Sequence, residues 1–199
     1  MPNWCNTTYE ISGPEADIIK LEKTLVEVKK NGHIRNDFDG EDSLWLGHIY
    51  TFLGKSDDEI KEGKTCPCRG SLTCFGRKGN TLSLEAMTAW GPMHDPVKAI
   101  TEFVSPDLEI SYITDEPGMG IYETNDKRCA DKWFIDAWEP ELLPDVLMEL
   151  WESPDLIRSP VLHRALILSL DKVDDLEALA MEAQEKWEMS CHQYTYEPI

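Results

Sequence analysis

Three cysteines stand close together in this chain, Cys66, Cys68 and Cys74, and thiolates near one another in sequence can converge on zinc at tetrahedral geometry. The first two, in Cys66-Pro67-Cys68, have one residue between them. Zinc knuckles place two there, so that the backbone can turn its amides onto sulfur, and no matching second pair follows. A fourth ligand would have to arrive by folding from His33, His48 or Cys129. Three thiols near the end of a hairpin, partly buried, fit this spacing better than a metal centre, and no cofactor is expected.

The acidic run Asp37-Phe38-Asp39-Gly40-Glu41-Asp42 has the alternating carboxylates and glycine turn of a calcium loop. With Gly40 on the loop glycine, Arg35 occupies the first ligand position and Leu46 replaces the bidentate glutamate. The pattern fails at both ends, which leaves a solvated acidic loop. Gly63-Lys64-Thr65 resembles the close of a phosphate loop, but Asp58 stands where the first glycine belongs and Cys66-Pro67 follows where a helix should start. Arg77 and Lys78, between Gly76 and Asn80, fit a solubilising hairpin tip. No serine elbow is present. Cys191 and His192 are adjacent and would point apart on a helix, and His94, just before Asp95-Pro96, reads as a neighbour of a helix cap. No catalytic residue is assigned, and the chain is expected not to be an enzyme.

Charge narrows the partners. The chain of 199 residues has 38 acidic and 19 basic side chains, net −19, which disfavours unaided contact with nucleic-acid phosphates or an anionic membrane. Residues 1–130 carry −8 and residues 131–199 carry −11, so the acidity is concentrated toward the C-terminus. The opening Met1-Pro2-Asn3-Trp4-Cys5-Asn6 has no basic or apolar leader, and no run approaches the roughly 18 apolar residues of a membrane span. A cytoplasmic protein with thiols rather than disulfides is expected.

The elements that position these residues follow from periodicity. Cys5, Thr7, Tyr9 and Ile11 alternate with polar residues as a half-buried strand ending at Ser12-Gly13-Pro14. Ile18, Leu21, Leu25 and Val28 recur at helical spacing up to Asn31-Gly32, with Glu15 and Asp17 in the first turn. Residues 33–69 read as an irregular insertion. Ser71–Phe75 and Thr81–Trp90 flank a glycine-containing hairpin loop, and Asp95-Pro96 opens a helix carrying Val97, Ile100, Phe103 and Val104. Leu108–Thr114, Gly120–Thr124 and Trp133–Trp138 are further strands. From Pro140 the period becomes helical, with Leu143 to Leu150, Leu162 to Leu170 and Leu176 to Trp187 as three segments. The expected division is a body at 1–138 and an acidic helical segment at 139–199.

Strand, helix, hairpin, helix, hairpin is the order of a split β-α-β unit. Two motifs add to it: Pro2-Asn3-Trp4-Cys5-Asn6, and Thr88-Ala89-Trp90-Gly91-Pro92 followed by Glu116-Pro117-Gly118. Together they resemble the YubB-like family, small proteins of plasmids, phages and other bacterial mobile elements. The resemblance implies a ferredoxin-like α+β fold, an antiparallel sheet with two helices on one face, and it implies no activity. It covers residues 2–12 and 81–124; only Trp45-Leu46-Gly47 matches within the insertion.

Seven tryptophans are many for this length, and although most serve cores, aromatic anchors are also what interfaces use. Trp90 ends a strand at Trp-Gly-Pro, where the backbone must turn and the ring can line a groove; Trp4, Trp90 and Pro92 are therefore the candidate interaction residues. The function expected is a protein-interaction or regulatory module with another protein as partner. Two alternatives were open. Carboxylates such as Asp171, Asp174, Asp175 and Glu177 could mimic nucleic acid toward a DNA-handling protein, or Asp37, Asp39 or His48 with Cys66 and Cys68 could support metal-dependent chemistry.

Overall fold

The computed structural model describes residues 3–32, 43–62, 66–129, 133–136, 166–168 and 190–199. The chain packs as two units, Met1–Ile121 with Ile199, and Tyr122–Pro198. Among the described residues no helix is long and apolar enough to cross a membrane.

The first unit runs β1 (Trp4–Ser12), α1 (Glu15–Asn31), β2 (Leu44–Trp45), α2 (Leu46–Phe52), α3 (Asp57–Glu62), β3 (Gly70–Lys78), β4 (Thr81–Ala89), α4 (His94–Val104) and β5 (Glu109–Glu116). Its strands lie in the order β5-β1-β4-β3-β2, every neighbouring pair antiparallel. Period two decides which side is buried. Tyr9 stands opposite Leu84 and Tyr112, and Ile11 opposite Leu82 and Ile110. The odd residues of β1 therefore share one face with alternate residues of β4 and β5. That face meets Ile18, Leu21, Leu25 and Val28 of α1 and Val97, Ile100 and Val104 of α4 in one core. Cutting a fully buried Leu21 to alanine costs on the order of 2–5 kcal/mol at such a site.

Acidic residues begin α1 and Lys29 and Lys30 end it, each complementing the helix dipole. In β3 the register shifts between Leu72 and Cys74, a bulge that lets both Leu72 and Phe75 turn toward the core although they are three residues apart. The β3–β4 loop is tighter than its composition suggested: Lys78 pairs with Thr81, leaving Gly79-Asn80 as a two-residue turn with Gly79 at φ 62°. Within the insertion, β2, α2 and α3 are short, yet Leu44, Leu46 and Ile49 join the main core.

Apart from Ile121, the second unit contains β6 (Ile121–Thr124), β7 (Trp133–Asp136), β8 (Leu166–Leu168), β9 (Ser190–Gln193) and β10 (Thr195–Tyr196). β10 pairs parallel to β6, while β8-β7-β9 form a separate antiparallel sheet. The helical reading of 162–170 is corrected here, because Leu166–Leu168 is a strand opposite Trp133–Ile135. A three-residue apolar run with a β-branched centre satisfies a buried strand as well as one turn of helix, and cross-strand pairing chose between them. The expectation of a helical segment over 139–199 fails equally at 190–193 and 195–196, which are strands. Its remaining parts, 139–165 and 169–189, lie outside the described residues.

Candidate functional site

Three segments far apart in sequence meet at one end of the first unit's sheet. The Trp90 backbone N–H donates to the carbonyl of Asn3 at 2.9 Å. Gly118 sits against the same asparagine, since a Cβ at 118 would lie 2.6 Å from Asn3 Nδ2 and 3.0 Å from Glu116 Oε1. The Asn3-Trp4-Cys5, Trp90-Gly91-Pro92 and Glu116-Pro117-Gly118 motifs thus form one structure.

Its turns are fixed by two devices. Glu116 is buried, and its carboxylate accepts the backbone N–H groups of Gly118, at 3.1 Å, and of Met119. A carboxylate satisfied by backbone amides holds a turn more firmly than a neutral acceptor does. Trp90 adopts φ 73°, the left-handed region that costs a residue with a Cβ about 1–2 kcal/mol. The Thr88 hydroxyl, donating to the Gly91 carbonyl at 2.8 Å, ties the two sides of that bend together.

Behind the turns lies a polar seam on the buried face. Thr7 and Thr114 stand opposite each other, their hydroxyl oxygens 2.9 Å apart. Cys5 is fully buried opposite Thr88, and burial pushes its thiol up to about 11 against hydrogen bonds from Thr88 and Thr7 that favour the thiolate. Next along β1, Tyr9 Oη lies 3.0 Å from His94 Nδ1. The His94 ring packs 4.1 Å from the Tyr112 ring, centroid to centroid. Burial pushes His94 down to about 4, partly opposed by the charge of Asp95, and raises Tyr9 out of the usual phenol range. His94 Nε2 is buried with no hydrogen-bond partner among the described residues. Cys5 is thus bonded to threonines and His94 to a phenol. What the seam does is hold the end of the sheet in place.

In front of the turns are exposed apolar side chains. Trp4 is 40% exposed, Met87 39%, Trp90 45% and Met119 56%. Trp4 stands opposite Ala89 and Met87 opposite Asn6, which places Trp4 and Met87 on the same side of the sheet, one step apart along β4. The strands β1, β4 and β5 carry Glu10, Glu85, Glu109, Asp115 and Glu116 and no lysine or arginine. The rim is aromatic and thioether-rich on acidic strands.

The other residues singled out by sequence fall elsewhere. Cys66 is fully buried beside Tyr50 and Ile60, Cys68 packs on that cluster, and Cys74 is exposed on β3 opposite Glu85. Cys5, Cys66, Cys68, Cys74 and Cys129 are all thiols rather than disulfides. Among the described residues no three His, Cys, Asp or Glu side chains are grouped to hold a metal ion. His48 stacks edge-on against Trp45, 5.2 Å between centroids, and its ring closes over Gly32. Asp37–Asp42, Gly63–Thr65 and Asp171–Glu177 lie outside the described residues. His94 is a neighbour of the cap, but the cap is Met93 and not Asp95; His94 is the first residue of α4 and turns inward onto Tyr9. In the second unit His192 lies on β9, not a helix, and stacks on Tyr122 at 3.7 Å. Also in that unit, Asp126 accepts the Arg128 guanidinium at 2.7 and 2.9 Å; burial pushes this carboxyl up, and the Arg128 bonds and charge outweigh it to leave it lowered.

Sequence reasoning singled out Trp4, Trp90 and Pro92; the structure adds exposed Met87 and Met119 and the buried Glu116 that holds the turn at Gly118. Met87 was legible as an apolar residue on the polar parity of β4; the turn bonds of Glu116 were not. In comparisons with protein-family models, curated proteins and solved structures, nothing matches this chain.

Proposed function

We propose that the chain is a non-enzymatic protein-interaction or regulatory module of a bacterial mobile element, working in the cytoplasm, with the rim of Trp4, Met87, Trp90 and Met119 as its contact surface. The observation that carries this reading is the strained Trp90: its left-handed backbone is fixed by bonds to Asn3 and around Thr88, and its ring remains 45% exposed. Strain of this kind persists where surrounding structure over-determines it, and such sites cluster where function needs a particular side chain presented. Tryptophan and methionine are enriched at contact surfaces for their large, adaptable apolar area.

Two further features favour this proposal. The succession β1-α1-β3-β4-α4-β5 with strands ordered β5-β1-β4-β3 supports a ferredoxin-like assignment, and with it the YubB-like resemblance. The net −19 and the acidic strands under the rim favour a basic partner surface, which electrostatic complementarity would steer onto it.

A photo-crosslinking amino acid at position 119 tests the proposal in cells carrying the native element. The expected result is one crosslinked protein of basic composition, lost in Trp90→Ala and Trp4→Ala and absent when the crosslinker sits at Val26, an exposed position on α1. Equal labelling from 119 and 26, or adducts indifferent to both tryptophan substitutions, would overturn it.

A further inference from the structure

α2, α3 and the segment leading into β3 enclose a second small cluster. Tyr50, Ile60 and Cys66 are buried in it, with Trp45 and Cys68 packed against them. The two thiols differ in access: Cys66 is fully enclosed, whereas Cys68 is half-buried with its sulfur 4.0 Å from the Ile60 carbonyl. Tyr50 is 4% exposed, and its hydroxyl is buried with no hydrogen-bond partner among the described residues. An unsatisfied buried donor is costly enough to need a reason. Tyr50 shares the cluster with both cysteines, and burial first, then negative charge on Asp95, Cys66 or Cys68, raises its phenol.

We propose that Cys68 is a site of reversible thiol–disulfide modification, with Cys66 as the resolving thiol and the Tyr50 hydroxyl as hydrogen-bond donor to the sulfur anion formed on the way. A phenol without an acceptor in the dithiol state gains one when a neighbouring sulfur loses its proton, and bonds to a charged acceptor are the stronger kind.

The oxidant is a low-molecular-weight disulfide. The Cys68 thiolate attacks one of its sulfurs, forming a mixed disulfide and expelling one small thiolate, which takes up the proton Cys68 has lost. Cys66, having lost its own proton, then attacks the Cys68 sulfur and expels the second small thiol. Two protein thiols are oxidised to one disulfide as one small disulfide is reduced to two thiols. Only Cys68 can be attacked from solution, so the order of the steps follows from burial. This inference rests on residues separate from the rim and stands or falls independently of the interaction proposal.

The test treats the folded full chain with oxidised glutathione, quenches it by alkylation and maps the cysteines by peptide mass. The expected result in the unmodified sequence is an internal Cys66–Cys68 disulfide, while exposed Cys74 retains a glutathionyl group as an internal comparison. Cys66→Ser should accumulate roughly tenfold more glutathionylated Cys68, because nothing resolves it. Tyr50→Phe should slow the first step about tenfold, the loss of one hydrogen bond to an anionic sulfur. A wild-type chain in which Cys68 stays reduced, or keeps glutathione as Cys74 does, overturns the proposal whether or not the variants fold. An unchanged rate in a folded Tyr50→Phe protein overturns the role given to the phenol.

Discussion

Trp90 and Asn3 are joined by a single backbone hydrogen bond of 2.9 Å, made just beyond the last paired residues of β4 and β1, where Trp4 faces Ala89. The bond extends the ladder by one step while Trp90 turns to positive φ, so the strand ends by twisting out of the sheet instead of running on. Gly118 packs against the side chain of the same Asn3. One asparagine backbone and side chain thereby locate two turns from opposite parts of the chain.

The conformation of Trp90 leads to the first prediction. Glycine accepts φ 73° without the Cβ penalty, so Trp90→Gly should be more stable to urea than Trp90→Ala by about 1 kcal/mol. Elsewhere in a folded chain alanine is the better tolerated of the two. The exposed ring contributes little to the core, so both variants should fold, and neither should yield the crosslink from position 119. An alanine variant as stable as the glycine one would show that Trp90 is not strained.

The threonine pair in the seam yields a second. Removing one hydroxyl leaves the other buried without its partner at 2.9 Å, and an orphaned buried hydroxyl costs about 1–3 kcal/mol. Thr7→Val, which orphans the Thr114 hydroxyl, should destabilise by that amount, and Thr114→Val by less, because Thr7 keeps its bond to Cys5. The double variant, which removes both polar groups while keeping the shape, should lie close to wild type, so the cycle should show a coupling of at least about 1 kcal/mol. Additive losses would mean that the two hydroxyls do not serve each other.

How far the sequence reveals this architecture depends on whether a feature is local. α1 was legible because Ile18, Leu21, Leu25 and Val28 repeat at the helical period and are buried as that period requires. β1 was legible by alternation, including the parity that buries Cys5 and Thr7. The Trp90 turn was legible because Trp-Gly-Pro cannot continue a strand. The Thr7–Thr114 pair was not, since its partners are brought together by sheet register across more than half the chain. The start of α4 misled for the opposite reason: Asp95-Pro96 offers a strong local cap signal, but the cap is Met93 and the helix starts at His94, two residues earlier, with the imidazole on Tyr9. At Leu166–Leu168 an apolar run too short to show a period was decided by its neighbours on β7.

His94 sets a pH dependence with a definite sign. Its folded pKa of about 4 lies below the ordinary 6.5, so the fold prefers the neutral ring. Above pH 6.5 neither the folded nor the unfolded chain protonates it and its contribution is fully present. Between about 6.5 and 4 only the unfolded chain takes up the proton, and stability is lost as pH falls. Tyr9, Tyr112 and Asp95 surround the ring, and of these only Asp95 opposes the shift with its charge. The loss should reach about 3 kcal/mol at pH 4. Urea unfolding of wild type against His94→Gln, compared pH by pH, cancels the carboxylates common to both. A difference that does not change across this window would show that the imidazole titrates normally.

Glu116 tests whether the convergent motifs are one unit. Its carboxylate holds Gly118 and Met119 by their amides, and Gly118 in turn abuts Asn3. Glu116→Ala should cost about 1.5–3 kcal/mol, the range for hydrogen bonds to a charged group. Glu116→Gln, which keeps an acceptor oxygen but not the charge, should lose less. The effect should also travel: in Glu116→Ala the amides of 118 and 119 and that of Trp90 should all exchange with solvent faster, because Asn3 loses the wall it rests on. If exchange quickens at 118 and 119 while Trp90 stays as protected as in wild type, the two turns are held independently, and the rim would be two neighbouring features instead of one surface.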